Sequence, residues 1–231
     1  MYKSSQILPL VFLAATLAGC AAAPDGTLIN DPYEVANRRV HGFNTGLDKS
    51  LLRPASEVTE ALPDVLTDRV VEFADNLALP GMVVNGLLQG DLEGAISNTF
   101  RFFLNTTIGL GGLFDPADEA GLYEKTTDFG QTLAVWGVNS GPYVVLPVFG
   151  PSTLRDSVAK PVDLYADPIG YVDTARTRNI ARGLRIVDNR AALLGTTFIL
   201  EGAALDPYQF MKDAYLQRRA SRIRDGASVP Q

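Results

Sequence analysis

The stretch Asp31-Pro32-Tyr33-Glu34 decides how this chain is expected to fold. Its aspartate can accept hydrogen bonds from the free amides of a first helical turn, its proline suits the first helical position, and its glutamate completes a capping box. The same arrangement recurs at 206–209, and weaker Asp-Pro versions stand at 115–116 and 167–168. These four helix starts predict an all-α fold.

The first helix is predicted over residues 32–50 and carries two stripes with the same helical spacing. One stripe is apolar and consists of Tyr33, Ala36, Val40, Phe43 and Leu47. The other is polar and consists of Glu34, Asn37, His41, Asn44 and Asp48. A solvated helix surface is the simple explanation of the polar stripe. The alternative is that Glu34, Asn37, His41 and Asn44 line a wet passage through the protein.

Helical periodicity continues beyond Arg53-Pro54, which is expected to end the first helix. The second helix is predicted to stop near Pro80-Gly81, and a short apolar helical turn then closes at Gln89-Gly90. Asp91 begins a helix that is apolar on most sides. Such a helix is either buried on several faces or surrounded by lipid, and periodicity alone does not choose between these.

The stretch 109–112 (GLGG) lacks the spacing of a nucleotide-binding loop and predicts a bend with close backbone approach. Residues 129–151 are the irregular part of the chain. A loop or apolar ridge is favoured there over a short strand pair, because Pro147 does not suit a central strand.

The C-terminal part is predicted to be helical over residues 152–166 and 168–190, with an apolar stretch at 191–205. The last helix is predicted from Pro207 to Arg224. Its expected inward residues are Tyr208, Met211 and Tyr215, and its expected outward residues are Arg218, Arg219 and Arg222.

The N-terminus has the layout of a lipoprotein signal peptide. Lys3 precedes an apolar region from Ile7 to Ala18, which is too short for a membrane span. The end of this region overlaps the stretch Leu17-Ala18-Gly19-Cys20. These last four residues resemble a bacterial lipobox. The resemblance implies cleavage before Cys20, a diacylglycerol and an acyl chain on that cysteine, and, from Ala21, export to the outer membrane.

The domain boundaries follow from this layout. We expect a signal peptide at 1–19, a lipidated flexible tether at 20–30, one helical domain at 31–224 and a disordered tail at 225–231. Cys20 is the only cysteine, so it has no disulfide partner.

Charge and composition exclude several functions. Residues 21–170 carry 9 basic and 20 acidic groups, while residues 171–231 carry 10 and 6, and the acidic body argues against nucleic acid as a partner. His41 is the only histidine, which excludes a multi-histidine metal site. No G-x-S-x-G elbow occurs. We therefore expect a protein without enzyme activity and without a bound cofactor.

Nine stretches in order along the chain resemble the VacJ/MlaA lipoprotein family. They are DPYEVANR (31–38), FN (43–44), NGLLQG (85–90), RFFLNT (101–106), GLGGLFD (109–115), FGQTL (129–133), GPYVVLP (141–147), GPSTLRD (150–156) and DPY (206–208). The apolar 191–205 stretch departs from the family's usual pattern.

The resemblance implies a single-domain ring of amphipathic helices, embedded in one leaflet of the outer membrane of a Gram-negative bacterium on its periplasmic side. Such a ring has a polar channel, is associated with a trimeric porin, and removes mislocalised phospholipid from the outer leaflet. It passes the lipid to a soluble periplasmic carrier that feeds an inner-membrane ABC transporter. The alternative is a lipid-anchored helical scaffold that organises porins or other envelope proteins.

Overall fold

The computed structural model describes residues 31–60, 64–171 and 205–227, together with 173–174, 178–179, 182–183 and 186. The fold is mostly helical, as expected, and adds one two-stranded sheet. In chain order the elements are α1 Glu34–Leu47, a π-helical turn Asp48–Leu52, α2 Arg53–Glu60, α3 Asp64–Gln89, α4 Leu92–Thr107, α5 Pro116–Glu119, α6 Phe129–Val135, β1 Tyr143–Leu146, β2 Gly150–Thr153, α7 Leu154–Ala166, a 3-10 turn Pro168–Tyr171 and α8 Pro207–Ala227.

Several sequence predictions lie outside the described residues. These are the signal peptide, Cys20, the tether, most of the 168–190 helix, the apolar stretch up to residue 204 and the tail from residue 228. The first residues of the predicted tail, up to Ala227, belong to α8.

Helical structure continues through Arg53-Pro54, so the predicted end of the first helix there is wrong. The π-helical turn widens the hydrogen-bond register, and the Arg53 amide donates to the carbonyl of Asp48, five residues back. Pro54 is then the second residue of α2, where a missing amide hydrogen costs little.

The predicted stop at Pro80-Gly81 is also wrong, because α3 runs through Pro80 as one helix of 26 residues. Leu79 and Met82 are buried on either side of the proline, and α3 packs along α4. This packing offsets the roughly 3 kcal/mol that an interior proline costs. The predicted end at Gln89-Gly90 is confirmed, and Gly90 has the positive φ of 78° that suits a helix stop.

The bend predicted at 109–112 is confirmed. Gly112 has a φ of 95°, and a Cβ atom there would lie 2.5 Å from Asn76 Nδ2 on α3. Only glycine allows this approach, so the loop after α4 is held against α3.

Residues 129–151 are more regular than expected. Phe129–Val135 form α6, which Asp128 and Gln131 start with a capping box. The loop or apolar ridge favoured at this point is wrong, because a short strand pair is present, with Tyr143 opposite Thr153 and Leu146 opposite Gly150. Pro147 lies in the turn between the strands, where no ladder bond is required of it.

The buried charge on α8 is Arg219, which was wrongly predicted to face outward. It is 8% exposed, donates to both oxygens of Asp128 at 2.6 and 2.7 Å, and donates to Asp156 Oδ1 at 2.9 Å. The Tyr215 hydroxyl donates to Asp156 Oδ2 at 2.8 Å. Burial alone would raise the pKa of Asp156, but Arg219 holds it below its ordinary value.

The other orientations predicted for α8 are partly confirmed. Tyr208 is buried and Tyr215 half-buried, as expected, and Arg218 is exposed. Arg222 is half-buried, and Met211, predicted to be inward, is 40% exposed. The inward face of α8 therefore combines Tyr208, Tyr215 and Leu216 with Arg219 and the half-buried Arg222.

Replacing Arg219 with alanine is expected to lower the free energy of unfolding by about 3 kcal/mol. It removes the cation that bridges the half-buried Asp128 and the buried Asp156, which then keeps, among the described residues, only its ion pair with Arg155. The matched control is Arg218→Ala, which removes the same side chain from an exposed neighbouring position and should change stability by less than about 1 kcal/mol. Denaturant unfolding of the detergent-solubilised protein measures both. Equal losses in the two variants would contradict the assigned role of Arg219.

Candidate functional site

The interior of the described part of the chain contains more polar than apolar side chains. The buried polar and charged residues are Asn37, Ser56, Asn76, Asn85, Gln89, Asn98, Arg101, Asn105, Gln131, Thr132, Ser152, Thr153, Arg155, Asp156 and Arg219. Soluble proteins bury mainly apolar residues, so a polar interior is the informative departure.

The surface also differs from that of an ordinary soluble protein, because two helices present rows of exposed apolar residues. The α4 ridge consists of Leu92, Ile96, Phe100 and Phe103, which are 56% to 62% exposed. The α7 ridge consists of Leu154, Val158, Val162 and Tyr165, which are 39% to 78% exposed. Both rows have spacings of four, four and three residues, which place each row on one helix face. Large exposed apolar surfaces of this kind mark contact with lipid or protein.

The polar stripe of α1 faces the protein and not the solvent. Asn37 donates from Nδ2 to the carbonyl of Tyr143 at 3.1 Å and accepts at Oδ1 from the amide of Val145 at 2.8 Å. Asn44, two helical turns later, donates to the carbonyl of Leu146 at 2.9 Å and accepts from the amide of Val148 at 2.8 Å. The two side chains thus occupy the edge of β1 as a neighbouring strand would.

The same device recurs on α4, where sequence reasoning missed it. Asn98 donates to the carbonyl of Lys125 at 2.9 Å and accepts from the Lys125 amide at 3.1 Å. Asn105, again seven residues on, accepts from the amide of Ala117 at 3.1 Å. The available signal was the spacing of two asparagines on an otherwise apolar helix.

His41 contacts α8, and Glu34 is connected to the start of α8 through Arg38. Glu34 pairs with Arg38 at 2.7 Å, and Arg38 also binds the carboxylate of Asp206. Through this hydrogen bond Arg38 lowers the pKa of Asp206 to about 2. The His41 ring lies edge-on to Tyr208 at 5.7 Å, and burial lowers its pKa. The structure therefore brings all four candidate lining residues to the junction of α1, β1 and α8, and their lining of a passage stays a prediction.

The family model described as MlaA lipoprotein matches residues 29–222. The chain belongs to the MlaA lipoprotein family.

Three relatives of known sequence illustrate this membership. The intermembrane phospholipid transport system lipoprotein MlaA of Escherichia coli (strain K12) is 34% identical over 224 residues, covering 93% of this chain and 87% of that protein. The protein of the same name from Haemophilus influenzae is 31% identical, covering 98% and 94%. An uncharacterized protein of Rickettsia bellii is 34% identical, covering 85% and 78%.

A solved structure supports the fold. It comes from work on the structural basis for maintenance of bacterial outer membrane lipid asymmetry and matches with a TM-score of 0.73 at 33% identity. The match covers 84% of this chain and 99% of that one. The MlaA-family fold, with its few strands, is therefore the fold of this chain.

The exposed ridges of this MlaA-family chain do not belong to membrane-crossing helices. Within the described residues, no helix combines the length and apolarity that a membrane span requires. The α4 ridge extends over a helix of 16 residues, about 24 Å long, and is interrupted by Glu93 near its start.

Replacing Asn37 with alanine is expected to lower the free energy of unfolding by about 2–3 kcal/mol, because it leaves a buried amide and a buried carbonyl of β1 unpaired. Hydrogen exchange at the Val145 amide should accelerate in this variant. Asn139→Ala, at an exposed position, is the control and should change neither quantity. An unchanged exchange rate at Val145 would show that Asn37 does not hold the strand.

Proposed function

We propose that this chain is the outer-membrane lipoprotein of an intermembrane phospholipid transport system. It removes mislocalised phospholipid from the outer leaflet and passes it to a soluble periplasmic carrier, which feeds an inner-membrane ABC transporter. The observation that carries the proposal is the inverted polarity, with amides and ion pairs inside and apolar ridges on α4 and α7 outside. The transport function in the names of the E. coli and H. influenzae relatives agrees with it.

The ridges suit a helical ring that lies within one leaflet. A leaflet of a bilayer offers about 15 Å of hydrocarbon, half of the roughly 30 Å core, so helices of this kind lie along it without crossing it. Exposed phenylalanine, leucine and valine side chains then contact acyl chains instead of water, which is favourable by roughly 25 cal/mol per Å² of apolar surface.

The polar interior suits the passage of a lipid headgroup. A headgroup without hydrogen-bond partners in hydrocarbon is costly, so its path needs polar side chains. We assign this lining to Glu34, Asn37, His41 and Asn44. Glu34 and His41 are half-buried and supply the accessible polar groups, while Asn37 and Asn44 hold β1 beside them.

The membrane position and partners complete the proposal. Cys20 carries a diacylglycerol and an acyl chain, and two or more chains make a stable anchor, whereas one chain gives only marginal binding. The partners are phospholipid, a trimeric outer-membrane porin and the periplasmic carrier. The chain has no catalytic role.

The test measures phospholipid exposed on the surface of Gram-negative cells that lack their own family member. Cells complemented with this chain should return to the low surface phospholipid of the parent. A Phe100→Asp/Phe103→Asp variant should fail to restore it, because two charges on the α4 ridge oppose burial in lipid. Thr126→Asp/Asn139→Asp, which adds two charges at exposed polar positions, is the matched control and should complement.

The same cells separate transport from the scaffold alternative. Normal surface phospholipid together with defective porin assembly in cells without the chain would favour a lipid-anchored scaffold and contradict transport. A Cys20→Ser variant tests the lipid anchor. Normal localisation and full complementation by this variant would contradict acylation as the means of attachment.

A further inference from the structure

An apolar groove of about 260 Å³ lies between α3 and α7. Gly81, Val84 and Leu88 line it from α3, Val162 and Asp163 line it from α7, and Phe129 contributes from the start of α6. Gly81 contributes no side chain to this lining, and a Cβ atom there would have no neighbour within 4 Å.

The groove opens onto the exposed apolar surface. Val84, Leu88 and Val162 are 43% to 56% exposed, and Val162 is itself part of the α7 ridge. An acyl chain that contacts the α7 ridge therefore enters the groove without leaving an apolar environment.

One charged group stands in this apolar lining. Asp163 accepts a hydrogen bond at Oδ1 from the Phe129 amide at 2.9 Å, and no cation among the described residues forms an ion pair with it. Burial raises the pKa of Asp163 to about 6. A carboxylate in an apolar setting gains most from a cation that hydrogen-bonds to it.

A second charge lies one turn earlier on α7. The Lys160 ammonium acts electrostatically on Asp163 and lies 5.8 Å from the Phe149 ring, without a direct ion pair to Asp163 among the described residues. Lys160 does not line the groove, so Asp163 is the charge that faces an occupant of the groove. A carboxylate in an apolar groove is complementary to an amphiphile that carries a primary ammonium.

We infer that the groove seats an ethanolamine phospholipid, with one acyl chain along Val84, Leu88 and Val162 and its ammonium on Asp163. The inference rests on the proposed function, since it places the transported class of molecule at a defined position. An anionic glycerol headgroup lacks the ammonium and would meet the carboxylate of Asp163, so it is expected to bind less well.

The fluorescence of Trp136 can report the binding of a lipid at this site. Trp136 is the only tryptophan, its Nε1 donates to the Leu88 carbonyl at 2.9 Å, and its ring lies 6.3 Å from that of Phe129. Bromine atoms on an acyl chain in the groove would therefore lie close enough to quench Trp136 fluorescence.

The experiment titrates the purified full-length protein in detergent micelles with brominated phosphatidylethanolamine or brominated phosphatidylglycerol. Quenching by the ethanolamine lipid should saturate. Its half-saturating mole fraction should be about fivefold lower than that of the glycerol lipid. Gly81→Leu fills the groove and should raise the half-saturating mole fraction at least fivefold. Gly42→Leu, at another helical glycine with open space around it, is the control and should behave as the unmodified protein.

Asp163→Asn separates the headgroup from the acyl chain. This variant should keep saturable quenching but bind the two lipids equally. A preference for ethanolamine that survives in Asp163→Asn would overturn the role of the carboxylate.

Two further outcomes are distinguishable. Quenching that rises linearly, equally for both lipids and unchanged by Gly81→Leu, would overturn the groove as a lipid site and leave it to a protein partner, while the proposed function would stand. No quenching by either lipid would contradict the proposed function itself, because Trp136 lies on the exposed apolar surface.

Discussion

Pairing of asparagine side chains on helices with the backbone of distant segments is the interaction on which the rest of this structure depends. Asn37 and Asn44 satisfy the outer edge of β1 across more than 100 residues of sequence, and Asn98 does the same for the segment at Lys125. Irregular backbone away from water must find such partners within the protein. The asparagines thereby supply hydrogen-bond partners to backbone groups of the hairpin and of the segment at Lys125.

This internal pairing explains why the polarity of the fold is inverted. Amides and the Arg219 ion-pair cluster occupy the interior, so the apolar residues of α4 and α7 remain on the outside. Arg219 joins α6, α7 and α8 through two carboxylates, which gives the C-terminal helix a fixed position despite its few buried apolar residues. In the proposed function a membrane leaflet covers the outer surface, while hydrogen bonds and ion pairs specify the inner one.

Local signals in the sequence predicted the helix starts at Asp91 and Asp206, and distant contacts decided most of what the sequence did not predict. The caps at Asp91 and Asp206 act within their own turns. The cap predicted at Asp31 is wrong, because α1 begins at Glu34 without a side-chain cap and the Asp31 carboxylate accepts from Asn37 and Tyr208 instead. Pro80 remains helical in a segment that packs along α4. Periodicity singled out Asn37 and Asn44 as one polar stripe, but their partners in β1 are not visible in the stripe. Arg219 was misplaced for the same reason, since Asp128 and Asp156 lie far from it in sequence.

The central claim is that the α4 ridge lies in lipid while the asparagine face of the same helix is enclosed by protein. Spin labels at Phe100, Phe103 and the exposed Glu124 of the protein reconstituted in liposomes test it most directly through accessibility to oxygen and to a water-soluble nickel complex. The account predicts high oxygen and low nickel accessibility at Phe100 and Phe103, and the reverse at Glu124. Free access of the nickel complex to Phe100 and Phe103 would contradict it.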